Sequence, residues 1–148
     1  MRIMTKTIFV STPITGFGNM QDFLSFKECA VSVIDLLKSQ GYIVYNEFEH
    51  IESENCFDSP SKSVDEDFMK IEKSDVFILI HPRRMQTSSL IELGYACALQ
   101  KRIIIIGNFN DLPFLAKGLR DSRFNALILD YDSNICETLF SVLPMIDK

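Results

Sequence analysis

The sequence lacks several patterns that would assign a chemistry directly. The four cysteines are widely spaced and include no C-x-x-C pair, so neither a zinc site nor a disulfide framework is indicated. The two histidines, His50 and His81, have no second ligand candidate nearby in the sequence, and we expect no metal. No apolar run approaches the length of a membrane span, and the start of the chain shows no cleavage-like site. We therefore expect no membrane partner.

Positive charge is also sparse. The chain has 15 Lys and Arg against 20 Asp and Glu, a formal net charge of −5, and its basic residues form no stripe along the sequence. A phosphate backbone is bound by clustered cations, so we expect no nucleic-acid partner. Cysteines without a pairing pattern are typical of reduced thiols, which indicates a cytoplasmic protein.

What the chain does have is an alternation of apolar runs and amphipathic segments. Its 148 residues and its apolar fraction of 47% are ordinary for one globular domain, which we expect to cover residues 1–148. Short runs rich in β-branched residues predict strands at residues 7–11, 42–45, 76–80, 103–106 and 126–129. Helical spacing predicts helices at residues 23–37, 65–73, 88–100, 113–119 and 135–145. Uninterrupted apolar strands between helices predict an α/β fold with a five-stranded parallel sheet, doubly wound and flavodoxin-like.

Ligands of such sheets bind beyond the carboxyl ends of the strands, so the loops there are the candidate site. The first loop carries hydroxyls and glycines that let a ligand approach the backbone, and its candidate binding residues are Ser11, Thr12, Pro13 and Gly16. It is not a G-x-G-x-x-G loop, and an ordinary strand-to-helix turn is the alternative. The length of segment 47–63 predicts a mobile lid, with simple disorder as the alternative.

A carboxylate follows the third predicted strand. Ser88 or Ser89 is placed to cap the next helix, and Glu92 then lies in its first turn, where the helix field lowers the carboxyl pKa. An ionised Glu92 would act as a nucleophile or stabilise a cationic transition state. The alternative is purely structural, because Ser89 and Glu92 have the spacing of a capping box.

The stretch from Glu92 to Ala96, Glu-Leu-Gly-Tyr-Ala, resembles the signature of the nucleoside 2-deoxyribosyltransferase family. In that family the Glu is the nucleophile that attacks the sugar carbon, and the related Toll/interleukin-1 receptor (TIR) domains place a catalytic Glu in the same context. Residues 8–14 are also similar to the family's opening strand and Pro-containing loop. The family usually has Tyr where this chain has Phe9, so that hydroxyl is missing here.

The resemblance implies further site residues. The family has an Asp near the start of the second helix that contacts the base or assists proton transfer, and Asp67 is the best match, with Asp65 or Glu66 as alternates. Where the family has an acidic residue that grips the sugar hydroxyls, this chain has Gln86.

Arg83 and Arg84 precede the helix predicted at residues 88–100. They are suited to binding a phosphate, with a solvated turn as the alternative. With Ser88 and Ser89 they complete the predicted substrate-binding set.

These features predict an enzyme that cleaves the N-glycosidic bond of a nucleotide, with NAD as substrate and no cofactor. Glu92 and Asp67 are its predicted catalytic residues, and a homo-oligomer is the expected assembly. The alternatives are a nucleoside 2-deoxyribosyltransferase, a deoxynucleotide N-glycosidase, and a non-catalytic TIR-like signalling or nucleotide-binding module. The site is expected beyond strands one, three and four.

Overall fold

The computed structural model describes residues 5–49 and 59–147. Its strands are β1 (Thr7–Ser11), β2 (Ile43–Tyr45), β3 (Val76–Ile80), β4 (Arg102–Ile106) and β5 (Leu127–Leu129). Its helices are α1 (Met20–Ser39), α2 (Pro60–Lys73), α3 (Ser89–Ala98), α4 (Phe114–Gly118) and α5 (Ile135–Ile146). Short 3₁₀ turns follow β2 at Glu47–Glu49 and β4 at Phe109–Asp111.

The strands form one parallel sheet in the order β2-β1-β3-β4-β5. This order is the flavodoxin-like one, and the predicted five-stranded, doubly wound fold is confirmed. The chain reverses its direction of strand addition between β1 and β3, where Ser11 lies opposite Leu79. Loops that leave these two strands diverge, so a crevice is expected above them.

Each face of the sheet has its own apolar core because alternate side chains point to opposite sides. Ile8 and Val10 of β1 pack against α1 and α5 on one face. Phe9 packs on the other face, which α2, α3 and α4 cover, and its ring stacks on Phe77 at 5.7 Å between centroids. All five residues of β3 are buried, as expected for the central strand of a sheet covered on both sides.

The clearest difference from the predicted elements is the start of α2, which begins at Pro60 rather than at residue 65. The Ser59 hydroxyl accepts a hydrogen bond from the Lys62 N–H at 3.3 Å, and Pro60 occupies the first helical turn, where its missing N–H costs nothing. Residues 60–63 of the predicted lid are therefore helical. Residues 50–58 of that segment lie outside the described part of the chain.

Other element ends differ from the prediction by at most three residues, with α1 beginning at Met20 and α3 ending at Ala98. Among the helices of the described ranges, none is long and apolar enough to cross a membrane.

Candidate active site

The site forms where β1 and α3 meet. The Ser11 hydroxyl, at the end of β1, donates a hydrogen bond of 2.6 Å to Oε1 of Glu92 in the first turn of α3. The two residues are 81 positions apart, and only the pairing of β1 with β3 brings them together. Ser11 is buried, and its hydrogen bond to Glu92 is partly buried. The Glu92 carboxyl is thereby held at the crevice between the ends of β1 and β3.

The start of α3 departs from the predicted capping arrangement. Ser88 is the N-cap residue, but its backbone is helical (φ −61°, ψ −20°) and its side chain makes no capping hydrogen bond. A capping side chain needs an extended backbone at this position to reach the N–H groups of the first turn. Ser89 lies one position too late, so the predicted capping box is wrong. Glu92 contacts the sheet instead of its own helix start.

The predicted direction of the Glu92 pKa is also wrong. Burial raises the pKa of Glu92 above its usual range, and hydrogen bonds from Ser11 and Asp67 offset only part of that effect. The field of a helix N-terminus is worth about 1 kcal/mol at an exposed site, whereas removal from water costs a carboxylate several times more. The loss of hydration therefore outweighs the helix field, and the Glu92 pKa is raised.

A second carboxyl faces Glu92 from α2. The pKa of Asp67 is raised to about 6, chiefly by burial and also by the charge of Glu92, while a hydrogen bond with Glu47 offsets part of the rise. The protonated Asp67 carboxyl donates a hydrogen bond to Glu92, which favours the ionised form of Glu92. Of the three acids predicted as candidates on this helix, only Asp67 reaches the cavity, while Asp65 and Glu66 lie outside its lining. The site therefore combines an acid and a carboxylate in direct contact.

A cavity of about 590 Å³ opens above these groups. Its volume falls in the range of small-molecule sites. The walls come from the end of β1 and its loop, the residues after β2, one side of α2 and the start of α3. The lining residues are Phe9, Val10, Ser11, Thr12, Pro13, Ile14, Thr15, Asn46, Glu47, Pro60, Ser63, Val64, Asp67, Phe68, Thr87, Ser88, Ser89, Ile91 and Glu92.

The cavity is displaced by one strand from the predicted position. We expected it beyond strands one, three and four, but the loop after β4 supplies none of the lining residues, and Asn46 and Glu47 after β2 do. The reason is the strand order: β2 and β3 flank β1, so their loops lie on either side of Ser11.

The predicted site residues divide into two groups. The structure brings seven of them to the cavity wall, and it places three elsewhere. Those at the wall are Ser11, Thr12, Pro13, Asp67, Ser88, Ser89 and Glu92, and those outside it are Gly16, Arg83 and Arg84.

Arg83 contacts the protein itself. Its guanidinium donates to the carbonyls of Gly16 and Phe17, pairs with Asp22 at 3.2 Å, and lies 5.3 Å from the centre of the Phe17 ring. Arg84 donates to the carbonyl of Asn110 at 3.0 Å. Gly16 has φ +92°, a left-handed conformation that favours glycine, so its role here is in the path of the loop. These contacts give both arginines structural partners.

Twelve of the cavity residues are absent from the predicted site set, among them the polar pair Asn46 and Glu47. Both follow β2 directly, and a polar pair at the carboxyl end of a strand was the available signal. Glu47 falls in the segment that the sequence predicts to be a lid. Within the described ranges, no cluster of three or more His, Cys, Asp or Glu has the geometry to hold a metal ion.

The fold resembles two solved structures. The CMP N-glycosidase BcmB of Clostridium botulinum superimposes with a TM-score of 0.68 and 22% sequence identity over 92% of this chain and 98% of that one. The solution structure of BlsM gives a TM-score of 0.69 and 21% identity over 99% of this chain and 90% of that one. No protein-family model matches the chain, and no curated protein sequence matches it significantly.

At this level of identity the likeness shows a shared fold. The likeness supports the predicted α/β fold, and the nucleoside 2-deoxyribosyltransferase-like relationship suggested by the Glu92 signature stays a prediction. The predicted TIR-like relationship gains no support from these structures.

Proposed function

We propose that this chain is an N-glycosidase that cleaves the bond between the base and the sugar of a nucleotide. The observation that carries this proposal is the contact between Glu92, Ser11 and Asp67 at one wall of the cavity. Glu92 is the nucleophile in this proposal, and Asp67 is the acid. A pair of carboxyl groups with separated roles is the arrangement that glycosidases use at a sugar carbon.

In the first step, an oxygen of Glu92 attacks C1′ of the sugar as the bond from C1′ to the base nitrogen breaks. The departing base takes the electron pair of that bond and the proton of Asp67. The Ser11 hydroxyl donates to Oε1 and holds the Glu92 carboxylate in place for the attack. Asp67 keeps a proton up to about pH 6, so it carries the acid in the lower part of the neutral range.

In the second step, water attacks C1′ and the bond to Glu92 breaks. The ionised Asp67 takes the proton that this water loses, which restores both carboxyl groups to their starting state. A second base in place of water would give a transferase reaction through the same intermediate. The products released on hydrolysis are the free base and the sugar phosphate.

The start of α3 supports a phosphorylated substrate. Thr87, Ser88 and Ser89 all line the cavity, and the Ser88 side chain makes no hydrogen bond to cap the helix. Hydroxyls beside the N–H groups of a helix N-terminus form an anion-binding arrangement, because the helix field favours negative charge there. We propose that the phosphate binds at this position rather than at Arg83 and Arg84.

The first substrate to test is cytidine monophosphate, the compound that BcmB is named for. NAD, the substrate predicted from sequence, is the second, and free cytidine and deoxycytidine monophosphate complete the set. The purified protein is incubated with each, and the released base is identified and quantified by chromatography. The proposal expects release of base from a nucleotide, with little from the free nucleoside.

The role of Glu92 as nucleophile is tested by Glu92→Gln. This change keeps the size of the side chain and an oxygen that accepts the hydrogen bond from Ser11. We expect it to slow base release at least about a thousandfold, roughly 4 kcal/mol of barrier. Glu137→Gln is the matched control, since Glu137 also lies in the first turn of a helix but is exposed. Turnover by Glu92→Gln near the parent rate would refute the assignment of Glu92 as nucleophile.

A further inference from the structure

Asn46 joins the ends of β1 and β2 through three hydrogen bonds. Its side-chain nitrogen donates to the Val10 carbonyl at 2.7 Å and to the Thr12 hydroxyl oxygen at 3.1 Å. Its side-chain oxygen accepts from the Phe48 N–H at 2.7 Å. A backbone carbonyl can only accept and a backbone N–H can only donate, so these two partners fix which end of the amide is the nitrogen. The Asn46 side chain therefore has a single orientation.

This orientation sets the direction of the hydrogen bond to Thr12. An amide nitrogen donates and does not accept, so the Thr12 oxygen is the acceptor and its own proton points elsewhere. Among the described residues, none accepts a hydrogen bond from Thr12. Thr12 is only 8% exposed, and it lines the cavity. Buried hydroxyls rarely lack a partner, so the unused proton of Thr12 is available to a ligand in the cavity.

The strand order places Thr12 at one end of the cavity. β2 and β3 lie on opposite sides of β1. Thr12 is tied to Asn46, which follows β2, whereas the proposed phosphate site is at the start of α3, which follows β3. Ser11, which holds the nucleophile Glu92, ends the middle strand β1. A nucleotide with its phosphate at α3 and its sugar at Glu92 therefore extends its base towards Thr12.

We propose that Thr12 selects the base: its hydroxyl, oriented by Asn46, donates a hydrogen bond to an acceptor next to the glycosidic nitrogen. Pyrimidines carry this acceptor as the 2-carbonyl oxygen, and purines carry it as the ring nitrogen N3. The nicotinamide of NAD has C–H groups on both sides of its glycosidic nitrogen. Thr12 therefore favours nucleotides of the ordinary bases over NAD. This inference names the substrate class of the proposed N-glycosidase, and it rests on that proposed function.

The same hydrogen bond assists the departure of the base. When the bond from C1′ to the base nitrogen breaks, its electron pair moves onto the base, and negative charge grows on the neighbouring acceptor atom. A donor to that atom is bound more strongly in the transition state than in the substrate, so the Thr12 hydrogen bond raises kcat. Thr12 keeps its proton throughout, and Asp67 protonates the base in the proposed reaction.

Two substitutions at Thr12 separate the hydroxyl from the volume of the side chain. Thr12→Val replaces the hydroxyl by a methyl group, and Thr12→Ser keeps a hydroxyl. Thr138→Val on α5, outside the cavity lining, is the matched control. Base release is measured with cytidine monophosphate, adenosine monophosphate and NAD. We expect Thr12→Val to lower kcat/KM about tenfold for each monophosphate that the parent cleaves and to change NAD by less than about twofold, with Thr12→Ser restoring most of the loss.

The orienting role of Asn46 is tested by Asn46→Asp. A carboxylate only accepts, so the Thr12 proton then points to residue 46 and away from the ligand. We expect this change to lower the ratio of monophosphate to NAD turnover as Thr12→Val does, and to lower that ratio no further when the two changes are combined. Equal losses for the monophosphates and NAD would assign Asn46 a structural role only.

Binding is measured by calorimetry in the Glu92→Gln background, so that it needs no turnover. Thr12→Val is expected to raise the Kd of a monophosphate about tenfold and to leave the Kd of NAD unchanged. Equal effects on the monophosphates and NAD, or none on either, would overturn the role of Thr12. Thr12-dependent binding of a monophosphate whose base the parent never releases would refute the N-glycosidase function alone. A protein that bound none of the three ligands would overturn both.

Discussion

Replacement of Asp67 by Asn tests the environment of the acid through stability alone. Burial and the neighbouring Glu92 raise the Asp67 pKa to about 6 in the folded protein, from 3.8 for an unperturbed carboxyl. The folded state therefore holds this proton more tightly than the unfolded state does. Such a group stabilises the fold fully below the unfolded pKa, and this contribution is lost as pH rises through the folded pKa. The amide of Asp67→Asn does not ionise, so the variant does not lose this stability as pH rises.

The size of the effect follows from the change in pKa. A rise from 3.8 to about 6 corresponds to about 3 kcal/mol at about 1.4 kcal/mol per pH unit. Asp67 is only half-buried, so solvent screening reduces this figure, and we expect about 1–2 kcal/mol. Between about pH 4 and about pH 8, the stability of Asp67→Asn relative to the parent should rise by that amount.

The assay is urea unfolding of the parent and the variant at both pH values, with the free energy of unfolding extrapolated to water. Asp65→Asn is the matched control, because Asp65 is an exposed carboxylate on the same helix, outside the cavity lining. The difference in free energy of unfolding between Asp65→Asn and the parent should stay constant with pH. If Asp67→Asn lost stability relative to the parent between the low and the high pH, the reasoning about the buried acid would be refuted.

Two further changes test groups other than Asp67 and Glu92. Arg83→Ala should lower the free energy of unfolding by about 1–2 kcal/mol, because the first loop loses the contacts of the guanidinium. The preference for nucleotide over nucleoside should stay unchanged. A selective rise in KM for nucleotides would contradict this. His81→Leu should remove part of the stability loss below about pH 6.5, because burial lowers the His81 pKa and only the unfolded chain takes up that proton. Parallel pH curves of unfolding free energy for parent and variant would count against it.

The fold was predictable because its signals are local and repeated. Four of the five strands are rich in β-branched residues, with β5 the exception, and crossovers between parallel strands have one hand, which restricts the strand order. The start of α2 was not predicted, because Ser59 and Pro60 follow a polar segment without helical periodicity. A cap and a proline alone extended the helix by five residues beyond the expected start at residue 65.

The candidate site was predictable where a motif carried it. Glu92 of the signature and the matched Asp67 both line the cavity. The sign of the Glu92 pKa was not predictable, because local spacing gives the helix field but not the burial that outweighs it. The partner of Arg83 could not be foreseen either, since Asp22 is 61 residues away and only the folded loop brings the two together.

The position of β1 inside the sheet also sets an order of events during synthesis. β1 leaves the ribosome well before its neighbour β3 and the helix that carries Glu92, because Ser11 and Glu92 are separated by 81 residues. At the usual pace of translation this gap lasts roughly 4 to 16 seconds. During that interval one edge of an apolar strand has no partner, and exposed edges of this kind are where chains aggregate. Expression yield should therefore depend on the speed at which codons for residues 12–80 are read.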